Sequence, residues 1–344
     1  RKYVISLTHC LILTIVCISI FFFFVVVVVV FLLMDEKDDI IRQIFCDYDD
    51  SLQIKTISRP TDGYSNSVYF ITFVNDLHEE LVLKFIKPGD ITEIVFYERV
   101  RQNAMDYFSV PNILKYDAIT RNYYISSKLR GLPLSQLWDS MTNEQRLETY
   151  REFGTLVGRL HSKFTYEKCG YLQGQQFHSW KDMFRSIIEK QITQFKGTIF
   201  EELSNTIYEY LIQYIHLLDC EIIHRLLHMD LHCTNILMIN TKITGILDAE
   251  EALIGHNEYE LMRIEKGHFE EAEDAKYRNE FMSSYTSYVK LDDGYEERRR
   301  FYSLSRELVG MRCLLDYGND YAQNGSIEQD MKKIEEKVKS IILM

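Results

Sequence analysis

Three residues of one short segment have the side chains and spacing needed for chemistry on a hydroxyl group. His228, Asp230 and Asn235 stand in the order His-x-Asp-x-x-x-x-Asn. The Asp230 carboxylate can accept a hydrogen bond from a substrate hydroxyl and orient it toward the γ-phosphorus of a nucleotide, while His228 braces the segment. Asn235 can offer its amide oxygen to Mg²⁺, which prefers oxygen ligands. The spacing therefore predicts a loop that supports phosphoryl transfer, called here the 228–235 loop.

A second carboxylate follows at the end of a largely apolar segment. Residues 243–247 lead directly to Asp248, which indicates a strand that ends in a carboxylate. The segment 236–247 is predicted to form a hairpin that turns at 240–242. Such a hairpin would bring Asn235 and Asp248 together. Asp248 is therefore the predicted second metal ligand, between Mg²⁺ and the nucleotide phosphates.

The elements that must position these residues fall into two regions. The first, residues 35–130, has β-branched and aromatic runs between turn signals, which indicates a sheet. One helix is predicted inside it at 91–102, with Asp90 as its cap. The predicted strands of this region are 52–58, 64–73, 81–86 and 122–128.

The second region, residues 131–344, is predicted to be mainly helical. All four prolines lie at or before Pro133, so no later proline interrupts a helix. Thr142 and Gln145 fit a capping box that precedes apolar residues at helical spacing. Ser326 begins a similar pattern near the end of the chain. A small β-rich lobe followed by a larger helical lobe is therefore predicted.

The overall composition narrows the class of protein. The 344 residues carry a net charge of −12, which argues against nucleic acid as a partner, because nucleic-acid binders present basic surfaces. The charge is compatible with a cationic substrate and also with a general need for solubility. The seven cysteines include no Cys-x-x-Cys pair, which argues against a disulfide framework or a zinc site. A reducing compartment, the cytoplasm, is the expectation.

The segment 10–34 is almost wholly apolar, and by hydropathy it predicts a transmembrane helix. Two features favour another interpretation. The chain begins with Arg1, and Met34 stands directly before a charged stretch. Basic residues at the N-terminus would also place the rest of the chain outside the cytoplasm, away from ATP. The favoured hypothesis is that residues 1–33 are translated upstream sequence; the alternative is a single-pass membrane protein.

Two segments together resemble the aminoglycoside phosphotransferase and choline kinase-like superfamily. They are residues 228–237 (HMDLHCTNIL) and 245–261 (GILDAEEALIGHNEYEL). The resemblance covers roughly residues 50–265. It implies a two-lobed, protein-kinase-like α+β fold that binds ATP or GTP and Mg²⁺ in the cleft between the lobes. The implied reaction is transfer of the γ-phosphoryl group to a small-molecule hydroxyl acceptor, which in this family can be cationic.

The resemblance also implies roles for residues of the first region. Lys84 resembles the strand lysine that contacts the phosphates, and Glu93 resembles the helix glutamate that pairs with it. Glu98 on the same helix is the alternative partner. Ser127 and Leu129 fall in the segment that resembles the hinge, where backbone groups bind adenine. These four nucleotide-binding assignments rest on the resemblance, and Glu93 is preferred to Glu98 because its spacing to Val100 fits the family pattern.

A loop that covers the phosphates is a further expectation. Ser65 and Asn66 follow Gly63, which permits a tight turn, and their side chains can donate to phosphate oxygens. An ordinary hairpin turn explains the same residues equally well. The two interpretations stay open at this point.

The sequence also departs from the family pattern. Met229 replaces the usual glycine, and Cys233-Thr234 replace proline and glycine. His256-Asn257 replace aspartate and proline, and Glu260 stands where aspartate is usual. A catalytically impaired, nucleotide-binding regulatory protein is therefore kept as the alternative to an active kinase. The acidic residues after Asp248 are interpreted as a solvated helix face.

Overall fold

A computed structural model of the chain describes residues 37–60, 68–74, 79–103, 109–318 and 326–343. The apolar segment 10–34 and the predicted phosphate loop with Ser65 and Asn66 lie outside the described residues, so both stay predictions. The chain divides into two compact units. The smaller unit contains the described residues up to Phe85 together with Leu114–Asp117 and Tyr123–Lys128, and the larger contains Ile86–Ile113, Ala118–Asn122 and the chain from Leu129 onward.

The smaller unit is built on a five-stranded sheet, in which β1, β2, β3 and β5 are antiparallel neighbours, with a helix, α1, at 37–48. The strand order is β1-β2-β3-β5-β4. All four predicted strands are confirmed within the described residues, but α1 and β4 were not predicted. The strands are β1 Ile54–Ser58, β2 Val68–Phe73, β3 Leu81–Phe85, β4 Ile113–Asp117 and β5 Tyr123–Ser127.

The core of this unit follows from two periodicities. Tyr69, Ile71 and Phe73 occupy alternate positions of β2 and are buried, because successive strand residues point to opposite faces. Ile41 and Phe45 lie one helical turn apart on α1 and join the same apolar cluster. The helix was missed because its apolar positions are embedded in a strongly charged stretch.

The larger unit is mainly helical, as predicted, and contains two small sheets. Their strand orders are β7-β10-β13-β8-β9 and β12-β11-β6. The helices are α2 Thr92–Gln102, α3 Leu134–Leu137, α4 Asn143–Lys163, α5 Trp180–Thr193, α6 Leu203–Tyr214, α7 Asn257–His268, α8 Ala275–Thr286, α9 Tyr295–Tyr317 and α10 Ile327–Ile342. The strands are β6 Leu132–Pro133, β7 Thr165–Tyr166, β8 Cys169–Tyr171, β9 Gln176–Phe177, β10 His224–Leu227, β11 Ile236–Ile239, β12 Lys242–Ile246 and β13 Leu253–His256.

Local sequence signals account for several of these boundaries. The side chains of Thr142 and Gln145 form the predicted capping box at the start of α4, and Ser326 caps α10. The hairpin of β11 and β12 turns where it was predicted. The β7-β10-β13-β8-β9 sheet of the larger unit was not predicted, since its strands are too short to show a period of two. Within the described ranges, no helix combines the length and the hydropathy needed to cross a membrane.

Two apolar clusters form the core of the larger unit, and α7 lies between them. Leu261 and Ile264 of α7 join the cluster around α4 and α8, whereas Tyr259 and Met262 join the cluster around α5, α6 and α9. A helix buried on opposite sides has little freedom to shift, because protein interiors are closely packed. The helix α7 can therefore hold the loops that it contacts in one position.

Helices α4 and α8 approach closely because two glycines of α4, Gly154 and Gly158, face α8. A Cβ atom at Gly154 would lie 2.2 Å from the backbone oxygen of Phe281, and one at Gly158 would lie 3.0 Å from that of Tyr285. Such distances require the two helices to move apart.

We expect Gly154→Ala to destabilise the protein by about 1–3 kcal/mol, because overpacking forces backbone shifts. Gly267→Ala in α7 is the matched control: nothing lies within 4 Å of its Cβ position, and alanine favours helix over glycine by about 1 kcal/mol. Urea unfolding of both variants checks the prediction. Equal stability of the two variants would contradict it.

Candidate functional site

The 228–235 loop begins directly after β10 and holds Asp230 between two hydrogen-bonded neighbours. The side-chain nitrogen of Asn235, Nδ2, donates to Asp230 Oδ2 at 3.0 Å and to the Asp230 backbone oxygen at 2.9 Å. His232 Nε2 lies 3.3 Å from the same carboxylate. Because the amide nitrogen of Asn235 faces Asp230, its amide oxygen is the atom left to bind a metal ion.

The electrostatic surroundings keep Asp230 ionised. Burial acts to raise the pKa of Asp230, but the hydrogen bond and charge of His232 and the charge of Arg263 outweigh it. The resulting pKa lies below the usual range of a carboxyl group. An ionised carboxylate can accept a hydrogen bond from a hydroxyl group, and the catalytic role of Asp230 stays a prediction.

His228 is fully buried beneath the loop. Its Nδ1 accepts a hydrogen bond from the Asp230 backbone N–H at 3.2 Å, and its ring packs edge-on against Phe96 with centroids 5.3 Å apart. Burial lowers the pKa of His228, although nearby carboxylates act in the opposite direction. These contacts suit a brace for the loop, which remains a predicted role.

Met229, which replaces the usual glycine of the family pattern, has an uncommon backbone conformation. Its φ of 73° lies in the left-handed region, which glycine adopts freely and other residues adopt at a cost of about 1–2 kcal/mol. Its N–H donates to Glu260 Oε1, and its side chain is buried in the cluster around α5, α6 and α9. Leu231 is buried in the other cluster. The residues on either side of Asp230 are thus anchored in different cores.

Glu260 is the buried partner of this loop. Its Oε2 accepts a hydrogen bond from His161 Nε2 at 2.6 Å. Burial acts to raise the pKa of Glu260, but the hydrogen bond and charge of His161, with His228 and the Met229 N–H, lower it overall. A solvated helix face is therefore the wrong interpretation of this residue and of Glu258, which pairs with Arg298 in the interior. The error arose because α7 is packed on opposite sides, which its sequence alone does not show.

Asp248 lies beside two further carboxylates, Glu93 and Glu250. Carboxylate oxygens of these three residues all lie within 4.8 Å of one another. The Asp248 N–H donates to Tyr97 Oη at 2.8 Å, and Tyr97 Oη donates to Glu93 Oε1 at 2.5 Å. This chain of contacts ties α2 to the segment after β12. Oxygen ligands at this spacing suit a hard cation such as Mg²⁺.

Several members of this arrangement were missed or given no role from sequence. Tyr97 carried a usable signal, since it lies four positions after Glu93 on the same helix face. Glu250 lies two positions after Asp248 but was grouped with solvated residues. Arg263, which lowers the pKa of Asp230, carried no local signal.

The other predicted residues occupy both units. The Leu247 N–H donates to the Asn235 backbone oxygen at 2.9 Å, so the end of the loop is bonded to the residue before Asp248. Leu129 Cδ1 packs against Gly245 of β12. In the smaller unit, Lys84 is buried on β3 opposite Tyr124. Ser127 ends β5 in the same unit. The nucleotide-binding roles of Lys84, Glu93, Ser127 and Leu129 stay predictions.

Comparison with known proteins places the chain in a family. The model of the APH phosphotransferase enzyme family matches residues 56–302, so the chain belongs to this family. The predicted resemblance and the α+β fold are thereby confirmed. No curated protein sequence matches the chain significantly.

Solved structures share the fold at low sequence identity. A complex of a thermostable aminoglycoside phosphotransferase APH(4)-Ia with AMP-PNP and hygromycin B has a TM-score of 0.61 at 18% identity, over 85% of this chain and 94% of that one. The GDP and kanamycin complex of APH(2")-IIIa has a TM-score of 0.61 at 14% identity, over 87% and 98%. Choline kinase LicA from Streptococcus pneumoniae has a TM-score of 0.57 at 13% identity, over 89% and 99%.

The replacement of aspartate by His256 has a consequence for stability. Burial, with the charge of Arg298, lowers the pKa of His256 to about 3. Because this pKa is lower than the value of 6.5 for an unperturbed histidine, the unfolded chain takes up a proton that the folded chain does not. The stability associated with neutral His256 is complete above pH 6.5 and is lost as the pH falls toward 3.

We therefore expect the free energy of unfolding to fall between pH 7 and pH 5, with a contribution of about 2 kcal/mol from this residue. His256→Gln is expected to be less stable at pH 7, because the Tyr302 contact is lost, but to lose less stability on acidification. His216→Gln, at an exposed histidine, is the control. Parallel pH profiles for wild type and His256→Gln would contradict the assignment.

Proposed function

We propose that this chain is a small-molecule kinase that transfers the γ-phosphoryl group of ATP or GTP to an acceptor hydroxyl with Mg²⁺. The observation that carries the proposal is the Asp230 carboxylate, which accepts a hydrogen bond from the Asn235 side-chain amide. The backbone of Asn235 is in turn bonded to Leu247, the residue that precedes Asp248 and its carboxylate cluster. Family membership supports phosphotransfer as the reaction class.

Each residue has a defined task in the proposed reaction. Asp230 accepts the hydrogen bond of the acceptor hydroxyl and orients its oxygen toward the γ-phosphorus. The Asn235 amide oxygen and the Asp248 carboxylate would hold Mg²⁺, with Glu250 as a further oxygen ligand. The chemistry that Mg²⁺ would supply there is neutralisation of charge on the phosphates, and the protein's own contribution is mainly positioning and charge stabilisation.

The family relatives support the choice of nucleotide and suggest the first acceptors to test. AMP-PNP and hygromycin B are bound in one structure with this fold, and GDP and kanamycin in another. The net charge of −12 is compatible with cationic acceptors. Nucleotide turnover on a panel of aminoglycosides, choline, homoserine and sugars tests the proposal directly.

We expect Asp230→Asn to lower kcat by about 10²- to 10⁴-fold, the usual range for loss of a positioned acid–base group. Stabilisation by MgATP in a thermal-shift assay is expected to persist, since the variant keeps its metal ligands. Asp293→Asn, at an exposed aspartate, is the matched control and is expected to retain wild-type activity.

The same assay separates the proposal from its alternative. A regulatory nucleotide-binding protein would be stabilised by MgATP and would show no turnover on any acceptor above the Asp230→Asn background. Wild-type turnover equal to that of the variant on every acceptor would overturn the kinase assignment.

A second prediction concerns the carboxylate cluster. Glu250→Gln removes one charge from the group that surrounds Asp248, so the Mg²⁺ concentration for half-maximal activity is expected to rise about 10- to 100-fold. Asp248→Asn is expected to have the larger effect, and Glu273→Gln, at an exposed glutamate, none. Titration of activity with Mg²⁺ provides the measurement. An unchanged Mg²⁺ requirement in Glu250→Gln would exclude this residue from the metal site.

A further inference from the structure

His268, the last residue of α7, contacts the 228–235 loop from below. Its Nε2 lies 2.7 Å from the backbone oxygen of Leu231. A carbonyl oxygen can only accept, so Nε2 must carry the ring proton when the histidine is neutral. Nδ1 is then an acceptor, and it lies 3.1 Å from Tyr150 Oη and 3.5 Å from Cys233 Sγ. The hydrogen-bond partners therefore determine one tautomer.

The surroundings of His268 keep it neutral. Its ring is packed against Tyr150, Phe153 and Phe269, and burial lowers the pKa of His268 to about 4. The donor toward Leu231 and the acceptor toward Tyr150 are thus retained at physiological pH. Of the two neutral tautomers, only the one with its proton on Nε2 satisfies the Leu231 carbonyl.

The position of these contacts along the loop is the important feature. Leu231 directly follows Asp230, and Met229 directly precedes it. Glu260, near the start of α7, accepts from the Met229 N–H, and His268, at the end of α7, donates to the Leu231 oxygen. One helix, fixed between two apolar clusters, therefore holds the backbone on both sides of Asp230.

We propose that His268 is a positioning residue for the phosphotransfer reaction proposed above, acting through the Leu231 carbonyl to keep the Asp230 carboxylate aimed at the acceptor hydroxyl. The inference rests on the proposed function for its effect on turnover, but the loop contact itself does not. His268 touches neither acceptor nor nucleotide in this role. Its loss is therefore expected to affect kcat and to leave KM for the nucleotide unchanged.

The test compares three substitutions at one position. His268→Phe keeps the ring volume and removes both hydrogen bonds. His268→Gln places an amide N–H near the position of Nε2, and His268→Asn has the same amide on a side chain one methylene shorter. We expect kcat to fall about 10²-fold in His268→Phe, as small misplacements of reacting groups do. His268→Gln is expected to recover most of that loss and His268→Asn little of it.

Hydrogen exchange of the amides at 229–235 provides a readout that does not depend on turnover. Exchange is expected to be faster than wild type in His268→Phe and His268→Asn, and close to wild type in His268→Gln. Tyr150→Phe, which leaves the donor to Leu231 in place, is expected to keep the wild-type pattern. If His268→Phe does not fold, the glutamine and asparagine variants carry the comparison alone.

The outcomes are distinguishable. Wild-type exchange and kcat in His268→Asn and His268→Phe would overturn the inference, as would equal losses in the glutamine and asparagine variants. Absence of turnover in the wild type would overturn the proposed function, and the exchange data would then decide whether His268 holds the loop.

Discussion

The buried carboxylate of Glu260 is the group on which the conformation of the 228–235 loop depends. It accepts from the Met229 N–H and from His161 in a region that water does not reach. Removing a hydrogen-bond partner of a buried carboxylate costs about 1–3 kcal/mol or more, because the charge loses part of its compensation. The carboxylate cannot move away from the loop, since α7 is packed on opposite sides by two apolar clusters. The hydrogen bond between Met229 and Glu260 therefore fixes the backbone beside Asp230 relative to the core.

Two residues of the site have left-handed backbone conformations without being glycine. Met229 has a φ of 73° and Asp248 a φ of 64°. Each conformation is unfavourable by about 1–2 kcal/mol, and each is held by a hydrogen bond from its own N–H, to Glu260 and to Tyr97 respectively. Strained backbone at functional positions persists only where the surroundings determine it. The departure at Met229 is thus accommodated by contacts that glycine would not need.

The side chains grouped around Asp248 are carboxylates, and their arrangement indicates a cation site. Glu93, Asp248 and Glu250 bring carboxylate oxygens within 4.8 Å of one another, and like charges at such distances repel. A divalent cation at this cluster would relieve that repulsion, which supports the proposed Mg²⁺ site. Asp230 has a different environment, with His232 and Arg263 nearby. The two carboxylates named from the sequence motif therefore differ in surroundings, which is consistent with the different tasks proposed for them.

The sequence by itself determined the features that depend on neighbouring residues. The order of His228, Asp230 and Asn235, the hairpin that leads to Asp248 and the capping box at Thr142 are local, so spacing and propensity were sufficient to predict them. Most strands of the smaller unit followed from runs of β-branched and aromatic residues and from turn signals. The family resemblance added the fold and the reaction class, which the family match confirms.

Only the tertiary structure decided which distant groups support that motif. Glu260 and His268 reach the loop through hydrogen bonds from α7, and Arg263 acts on Asp230 through its charge. The spacing of Glu93 and Tyr97 is a local signal, but the contact of Tyr97 with Asp248 is not. No local pattern encodes such interactions between separate elements. The five-stranded sheet of the larger unit was missed for a related reason, since strands of two to four residues are held by their neighbours and not by their own periodicity. The acidic residues of α7 were assigned to solvent because burial is a property of packing, which a linear sequence does not display.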